Sequence, residues 1–225
     1  MLKLLSKSAI AAVFLASAGG SAVAEQGDQS CPVSWTQLRW AMTSAARPTK
    51  QHFWGVVVNR SGTVCAVAFS GSMATDQWLL SRQIAAAKAF TSNGLSLDNS
   101  VGGGQQWATA MLDGAVQTTQ DNGGLYGLHF GNLQDADDAL KGPSTYWGTA
   151  QDPMVNRRVG GTISFGGGVP LVTKAGNVQG ALGVSGDTAC NDDTYSRAVR
   201  TILAGGVLNF GNDNAGSCHG PHPGP

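Results

Sequence analysis

Residues 165–187 read FGGGVPLVTKAGNVQGALGVSGD. The segment is two strands and a tight turn. Val169–Thr173 leads into Lys174-Ala-Gly-Asn177, and Val178–Val184 returns and ends at Ser185-Gly-Asp187. Gly176-Asn177 supplies the positive φ that a short hairpin loop requires. The second strand carries Gly180 and Gly183, with Gly186 just beyond it. Glycine weakens a strand unless something must approach its backbone closely. The hairpin therefore either packs against a tight neighbour or forms the floor of a binding site. Small residues facing small residues are the commoner cause, and Ala85–Ala89 is the obvious facing segment.

Working outward, Phe53–Asn59 and Thr63–Phe69 form a second hairpin around the turn Asn59-Arg-Ser-Gly62. Ser34–Ala46 has helical spacing in Trp35, Leu38, Met42 and Ala45, and Pro48 stops it. Thr75–Phe90 reads as a helix with Leu80, Ile84 and Ala87 on one face. Gln105–Gln117 reads as another, with Trp107, Met111, Leu112 and Ala115 in register. Residues 121–158 break the pattern with repeated Gly and Pro, and so long an irregular stretch is usually functional or mobile. Gly161–Phe165 resumes a strand. A last helix, capped by Asn191–Asp193, carries Tyr195, Val199, Ile202 and Leu203. Two hairpins separated by helices define an α+β single domain, with about five mostly antiparallel strands packed with helices.

The ends read differently. Lys3 and Lys7 precede an apolar run from Ala9 to Ala18, and Ala22-Val-Ala24 fits signal cleavage, so residues 1–24 read as a secretory signal. The domain spans 25–210, and 211–225 is a Gly/Pro-rich tail expected to be disordered. The expected location is periplasmic or secreted. No later apolar stretch approaches the roughly 20 residues of a membrane span. Without Lys3 and Lys7, 12 basic residues face 14 acidic ones, which leaves no basic surplus for nucleic acid or lipid. Cys31, Cys65, Cys190 and Cys218 allow three pairings in an oxidising compartment. In the layout above, the first helix runs back along the first strand and brings Cys31 toward Cys65. Elimination leaves Cys190 with Cys218.

Few residues suggest catalysis. Gly183-Val-Ser-Gly-Asp187 is not a nucleophile elbow, because position 187 is not glycine. Glu25 is the only glutamate, and Asp187, Asp192 and Asp193 read as helix-start residues. No phosphate-binding glycine motif is present. Cys218, His219 and His222 form a tail cluster, read as solvated rather than metal-binding. His129, in Leu125-Tyr-Gly-Leu-His-Phe130, has the apolar and aromatic neighbours a haem pocket needs, and Tyr126 is a second possible ligand. Arg157 and Arg158 are candidates for pairing with propionates, and equally fit a solvated basic pair.

Three blocks resemble the GlcG/HbpS-like family. They are Val56–Val64, the helix segment Ser81–Thr91 with its Lys88-Ala89 pair, and Gly167–Leu171 with Gly180–Gly186 and Asp192 or Asp193. Asp152-Pro-Met-Val155 and cysteines such as Cys65 and Cys190 are similar to exported members. The likeness covers Phe53 to Leu203. It implies a profilin-like layout with a five-stranded antiparallel sheet, a homo-oligomer, and haem binding or haem degradation. The reading taken from it is binding of haem or a related tetrapyrrole, which degradation could accompany. The alternative it implies is an accessory protein or enzyme of small hydroxy-acid (glycolate-type) utilisation.

Overall fold

The computed structural model describes residues 30–98, 106–109 and 134–204. Helix α1 is Trp35–Ser44. Strands β1 (Trp54–Asn59) and β2 (Val64–Phe69) follow, then helix α2 (Ser81–Leu95). Strands β3 (Gly168–Val172) and β4 (Val178–Ser185) make the second hairpin, and helix α3 is Ala189–Ala204. The strands form one antiparallel sheet in the order β2-β1-β4-β3. The two hairpins are thus joined through β1 and β4, with Trp54 opposite Ser185 and Asn59 opposite Gly180.

Every residue of β1 is buried, because the sheet is covered on both faces and an apolar/polar alternation would waste one of them. Val57, Ala66, Leu171 and Leu182 share a core with Leu38 and Met42 of α1 and with Tyr195 and Val199 of α3. Val56, Val58, Val67 and Ala181 share the other core with Ala85, Ala86 and Ala89 of α2. The sheet is the middle of three layers.

Local chemistry sets the element ends. Ser34 caps α1 and forms a reciprocal box with Gln37, which satisfies N–H groups that no helical carbonyl can reach. Gly176 takes φ 83° in the β3–β4 turn, where Gly176 N–H donates to Thr173 O at 2.9 Å.

The expected helix over Thr75–Phe90 is shifted. The Asp76 carboxylate accepts from the N–H groups of Ser72 and Met73 at 2.6 and 2.9 Å, and the Gln77 amide donates to Met73 O and Ala74 O at 2.6 and 2.7 Å. These polar side chains occupy the backbone groups a helix would use. Only a 3₁₀ turn, Ala74–Asp76, forms there, and Gln77 is extended. The helix starts at Ser81 and runs on to Leu95, where Arg60 donates to the carbonyls of Asn93 and Ser96 at 2.6 and 3.0 Å. Its buried stripe is alanine, while Leu80 is 62 % exposed.

The expected strand Gly161–Phe165 does not form, so the described sheet has four strands rather than five. The N–H of Ile163 donates to the Thr91 hydroxyl on α2 at 2.9 Å, a bond that would otherwise join a neighbouring strand. Only an isolated bridge between Gln134 and Gly160 precedes it. The expected helix Gln105–Gln117 lies outside the described residues except for 106–109.

The described part of 121–158 is packed rather than loose. Arg82 on α2 donates from Nε to Asp152 Oδ2 at 3.0 Å and from Nη2 to Asp152 Oδ1, and from Nη1 to Ala139 O at 2.5 Å. Asp152 also accepts from Gly148 N–H at 2.7 Å and Met154 N–H at 2.8 Å. Trp147 covers the guanidinium, 4.6 Å from its ring centre. A fully buried arginine is stable here because its charge is paired and three of its five donors are hydrogen-bonded.

A disulfide joins Cys31 to Cys65, with Cα atoms 5.5 Å apart. Cys190 is disulfide-bonded too, and Cys218, its expected partner, lies outside the described residues. No helix among the described residues is long and apolar enough to cross a membrane.

Candidate functional site

Glycine in β4 decides how close α2 can come. A Cβ on Gly183 would lie 1.9 Å from Ala85 O and 2.5 Å from Ala89 N. The glycine strand is therefore covered by α2 and is not an open floor. Close approach also carries Lys88, on the same helix, past the sheet to the start of α3. Its ammonium donates to Asp192 Oδ2 at 2.7 Å and to Val184 O at 3.3 Å. Both side chains of the pair are 2 % exposed.

Asp192 is built in from its other side as well. Its Oδ1 accepts from Asp187 N–H at 3.0 Å, and its own N–H donates to Thr188 O at 2.8 Å in the first turn of α3. The helix begins at Ala189, earlier than the expected cap at Asn191–Asp193. Asp192 is thus not a cap: its carboxylate bonds across the fold. Asp193 pairs instead with Arg197 at 2.7 Å on the same helix.

Burial dominates the electrostatics. It pushes the Asp192 carboxyl up to about 6, against the opposing pull of Lys88. It lowers the Lys88 ammonium from its ordinary value, against the opposing pull of Asp192 and Asp193. Both directions say that desolvation outweighs the pairing. At Asp187 burial also works upward, but hydrogen bonds from Thr49, Thr188 and Asn191 win and hold the carboxyl below its ordinary value.

The pair forms one wall of a cleft of about 190 Å³ lined by Trp78, Ser81, Ile84, Lys88, Phe165, Ser185, Asp187, Ala189 and Asp192. Trp78 is 61 % and Phe165 39 % exposed at its rim, beside Leu79 and Leu80. The Lys88 ammonium lies 5.9 Å from the Phe165 ring centre. Ser185 ends β4, is buried, and lines the cleft. A cleft that combines exposed aromatic residues, a buried ion pair and a serine hydroxyl has the makings of a ligand site.

The sequence-derived site residues are placed as follows. His129 and Tyr126 lie outside the described residues. Arg157 and Arg158 are exposed, and Arg157 Nε is 3.8 Å from Asp138. The backbone of Arg157 accepts from Val64 N–H at 2.8 Å. Val64 faces Val58 on β1, whereas the cleft lies by Ser185, which faces Trp54. The two arginines and the cleft are toward opposite ends of the sheet. Among the described residues no three His, Cys, Asp or Glu side chains are grouped to hold a metal ion.

Sequence reasoning missed Trp78, set Ser185 aside as a nucleophile, and named Lys88 and Asp192 only within the family resemblance and, for Asp192, as a helix start. The one available signal was a lone charge inside the alanine run of α2.

The chain belongs to the HbpS-like family: the model for haem-degrading proteins of the HbpS type matches residues 34–200. Among solved structures it is similar to the protein ORFY of Klebsiella pneumoniae (21% identity, TM-score 0.49, covering 76% of this chain and 90% of that one). It is similar to PduOC solved with heme (20% identity, TM-score 0.48, 78% and 93%). It is also similar to a double mutant of HbpS from Streptomyces reticuli (20% identity, TM-score 0.45, 86% and 99%). No curated protein matches the chain.

Proposed function

We propose that this protein binds haem or a related tetrapyrrole outside the cytoplasm. The observation that carries the reading is the family match over residues 34–200. The described residues fit part of such a ligand. Trp78, Leu79, Leu80 and Phe165 expose a flat apolar surface against which a macrocycle can lie. The cleft itself does not fit a whole haem, since at about 190 Å³ it is smaller than the roughly 300–1,000 Å³ of sites for drug-sized ligands, and no histidine among the described residues lines it. Axial ligation falls to His129 or Tyr126 in this reading. Arg157 and Arg158 lie toward the other end of the sheet from that apolar surface, so they are the proposed partners for propionates only of a macrocycle bound at their own end. Haem, when bound, supplies an iron centre that can promote oxidation of its own macrocycle. The chain's own part is to hold and shield it.

Export is part of the proposal. The Cys31–Cys65 bridge supports it, because such bonds persist in oxidising compartments. A homo-oligomer is also part of it, as the family resemblance implies. The small hydroxy-acid alternative has less support. Two carboxylates, Asp187 and Asp192, face one ammonium in the cleft, and that balance opposes an anion.

Titration of the cleaved protein with hemin tests the reading. A Soret shift saturating at one equivalent is expected, and no shift at stoichiometric hemin overturns it. His129→Ala is expected to change the spectrum of the complex. An unchanged spectrum would clear His129 and leave Tyr126 as the candidate.

A further inference from the structure

We propose that the cleft between α2 and the start of α3 takes a small aldehyde or ketone, which Lys88 binds covalently as a Schiff base with Asp192 as its proton partner. The inference takes a ligand other than haem and uses none of His129, Tyr126, Arg157 or Arg158, although Trp78 and Phe165 border the cleft as well as the proposed haem surface.

Three observations carry it. The first is the unspent bonding capacity in the cleft. An ammonium has three donors, and Lys88 uses two, on Asp192 and Val184. The third has no hydrogen-bond acceptor among the described residues, and Lys88 lines the cleft. Ser185 lines the same cleft and brings a hydroxyl that can donate or accept. A carbonyl oxygen, or the hydroxyl formed from it, is the kind of group that can bond to both.

The second is size and polarity. At about 190 Å³ the cleft is smaller than sites for drug-sized ligands, and it is walled by Ile84, Trp78 and Phe165 on its apolar side. Its charge balance disfavours an anion and leaves a small neutral polar molecule. The third is the base beside the amine. A carboxylate at 2.7 Å from the Lys88 nitrogen can take the proton that blocks nucleophilic attack. Burial supports this in both groups, since it lowers the ammonium and raises the carboxyl. A desolvated lysine is the usual form of a Schiff-base nucleophile.

The step balances without any further reactant. Lys88 gives one proton to Asp192. The free amine adds to the carbonyl carbon, a C–N bond forms, and the π pair moves to oxygen. That oxygen takes a proton from the nitrogen to give a neutral carbinolamine, with the Ser185 hydroxyl as its hydrogen-bond partner. Asp192 returns its proton to the hydroxyl, the C–O bond breaks, and water leaves. The product is a protonated imine, so one carbonyl compound and one ammonium give one iminium and one water. Asp192 ends as it began.

The test is reductive trapping on the full mature chain. The protein is incubated at pH 7 with propanal or acetone and sodium cyanoborohydride, and each lysine is scored by peptide mass mapping. Lys50, Lys141 and Lys174 are exposed, so they serve as internal references. The proposal expects Lys88 to be alkylated at least tenfold faster than these three. It also expects Ile84→Trp, which fills the cleft, to suppress labelling at Lys88 while leaving the references unchanged. A buried lysine with a purely structural role gives the reverse order, with the three exposed lysines labelled and Lys88 spared. That result overturns the proposal in the wild-type protein alone, whether or not the variant folds. Hemin binding is read separately by absorbance, so failure of either reading leaves the other to its own result.

Discussion

At the scale of one residue, Gly183 sets the spacing of two layers. The atoms that a Cβ would meet, Ala85 O at 1.9 Å and Ala89 N at 2.5 Å, are backbone, so no side chain can swing aside to relieve the clash. Gly183→Ala must push α2 off β4, and Lys88 away from Asp192 with it. Overpacking typically costs about 1–3 kcal/mol, and a clash with backbone belongs at the upper end. Gly94, on the same helix, is the control. A Cβ there meets nothing within 4 Å, and alanine is the better helix former by about 1 kcal/mol. Urea denaturation is expected to show Gly183→Ala strongly destabilised and Gly94→Ala slightly stabilised. Equal midpoints for Gly183→Ala and wild type would mean that α2 does not rest on that strand.

At the scale of elements, two buried ion pairs fasten α2 to its surroundings, and they differ in kind. Arg82 spends its donors on Asp152 and Ala139 O and stacks under Trp147, which locks residues 134–158 to the helix. The Lys88–Asp192 pair sits on a cleft, and its stability cost is legible in pH. The Asp192 carboxyl is at about 6 in the fold against an ordinary 3.8. The folded state therefore binds the proton more tightly, and stability from this group is present below about pH 4. It is lost as pH rises through 6, and the gap between the folded and ordinary values makes the loss about 3 kcal/mol in all. Asp187, held low, works with the opposite sign: its contribution is present above the ordinary value and fades on acidification. The stability of wild type relative to Asp192→Asn, taken from urea midpoints between pH 4 and pH 7, is expected to fall as pH rises. A difference that is flat or grows with pH contradicts a raised Asp192.

For the whole molecule, what was legible in the sequence was what is local. Gly176 in its turn, the apolar runs of β1 and β2, and the Ser34–Gln37 box each sit within a few residues of the structure they produce. Packing of glycine against alanine was also readable, because two small-residue runs need each other. What escaped depends on distant partners. Gly161–Phe165 has the composition of a strand, but Thr91 takes the N–H of Ile163. The beginning of α2 is set by Asp76 and Gln77 turning back on their own backbone. Asp192 meets Lys88 across 104 residues, and no spacing rule reports such a meeting. The Cys31–Cys65 bond is the long-range contact that the layout did anticipate, and it is a test of how the first layer is held. It ties the chain ahead of α1 to β2, which has one neighbour in the described sheet. It closes a loop of 34 residues. Loop closure on that scale stabilises by about 3–4 kcal/mol through the unfolded chain. The paired variant Cys31→Ser/Cys65→Ser spares the bond at Cys190, which a reductant would also attack. It is expected to melt roughly 10 °C lower, at about 2–4 °C per kcal/mol for a chain of this size, while the hemin spectrum and the labelling order at Lys88 stay unchanged. An unaltered melting temperature would mean that α1 is held by Leu38, Met42 and Tyr195 alone, with the bond adding nothing to the layer it closes.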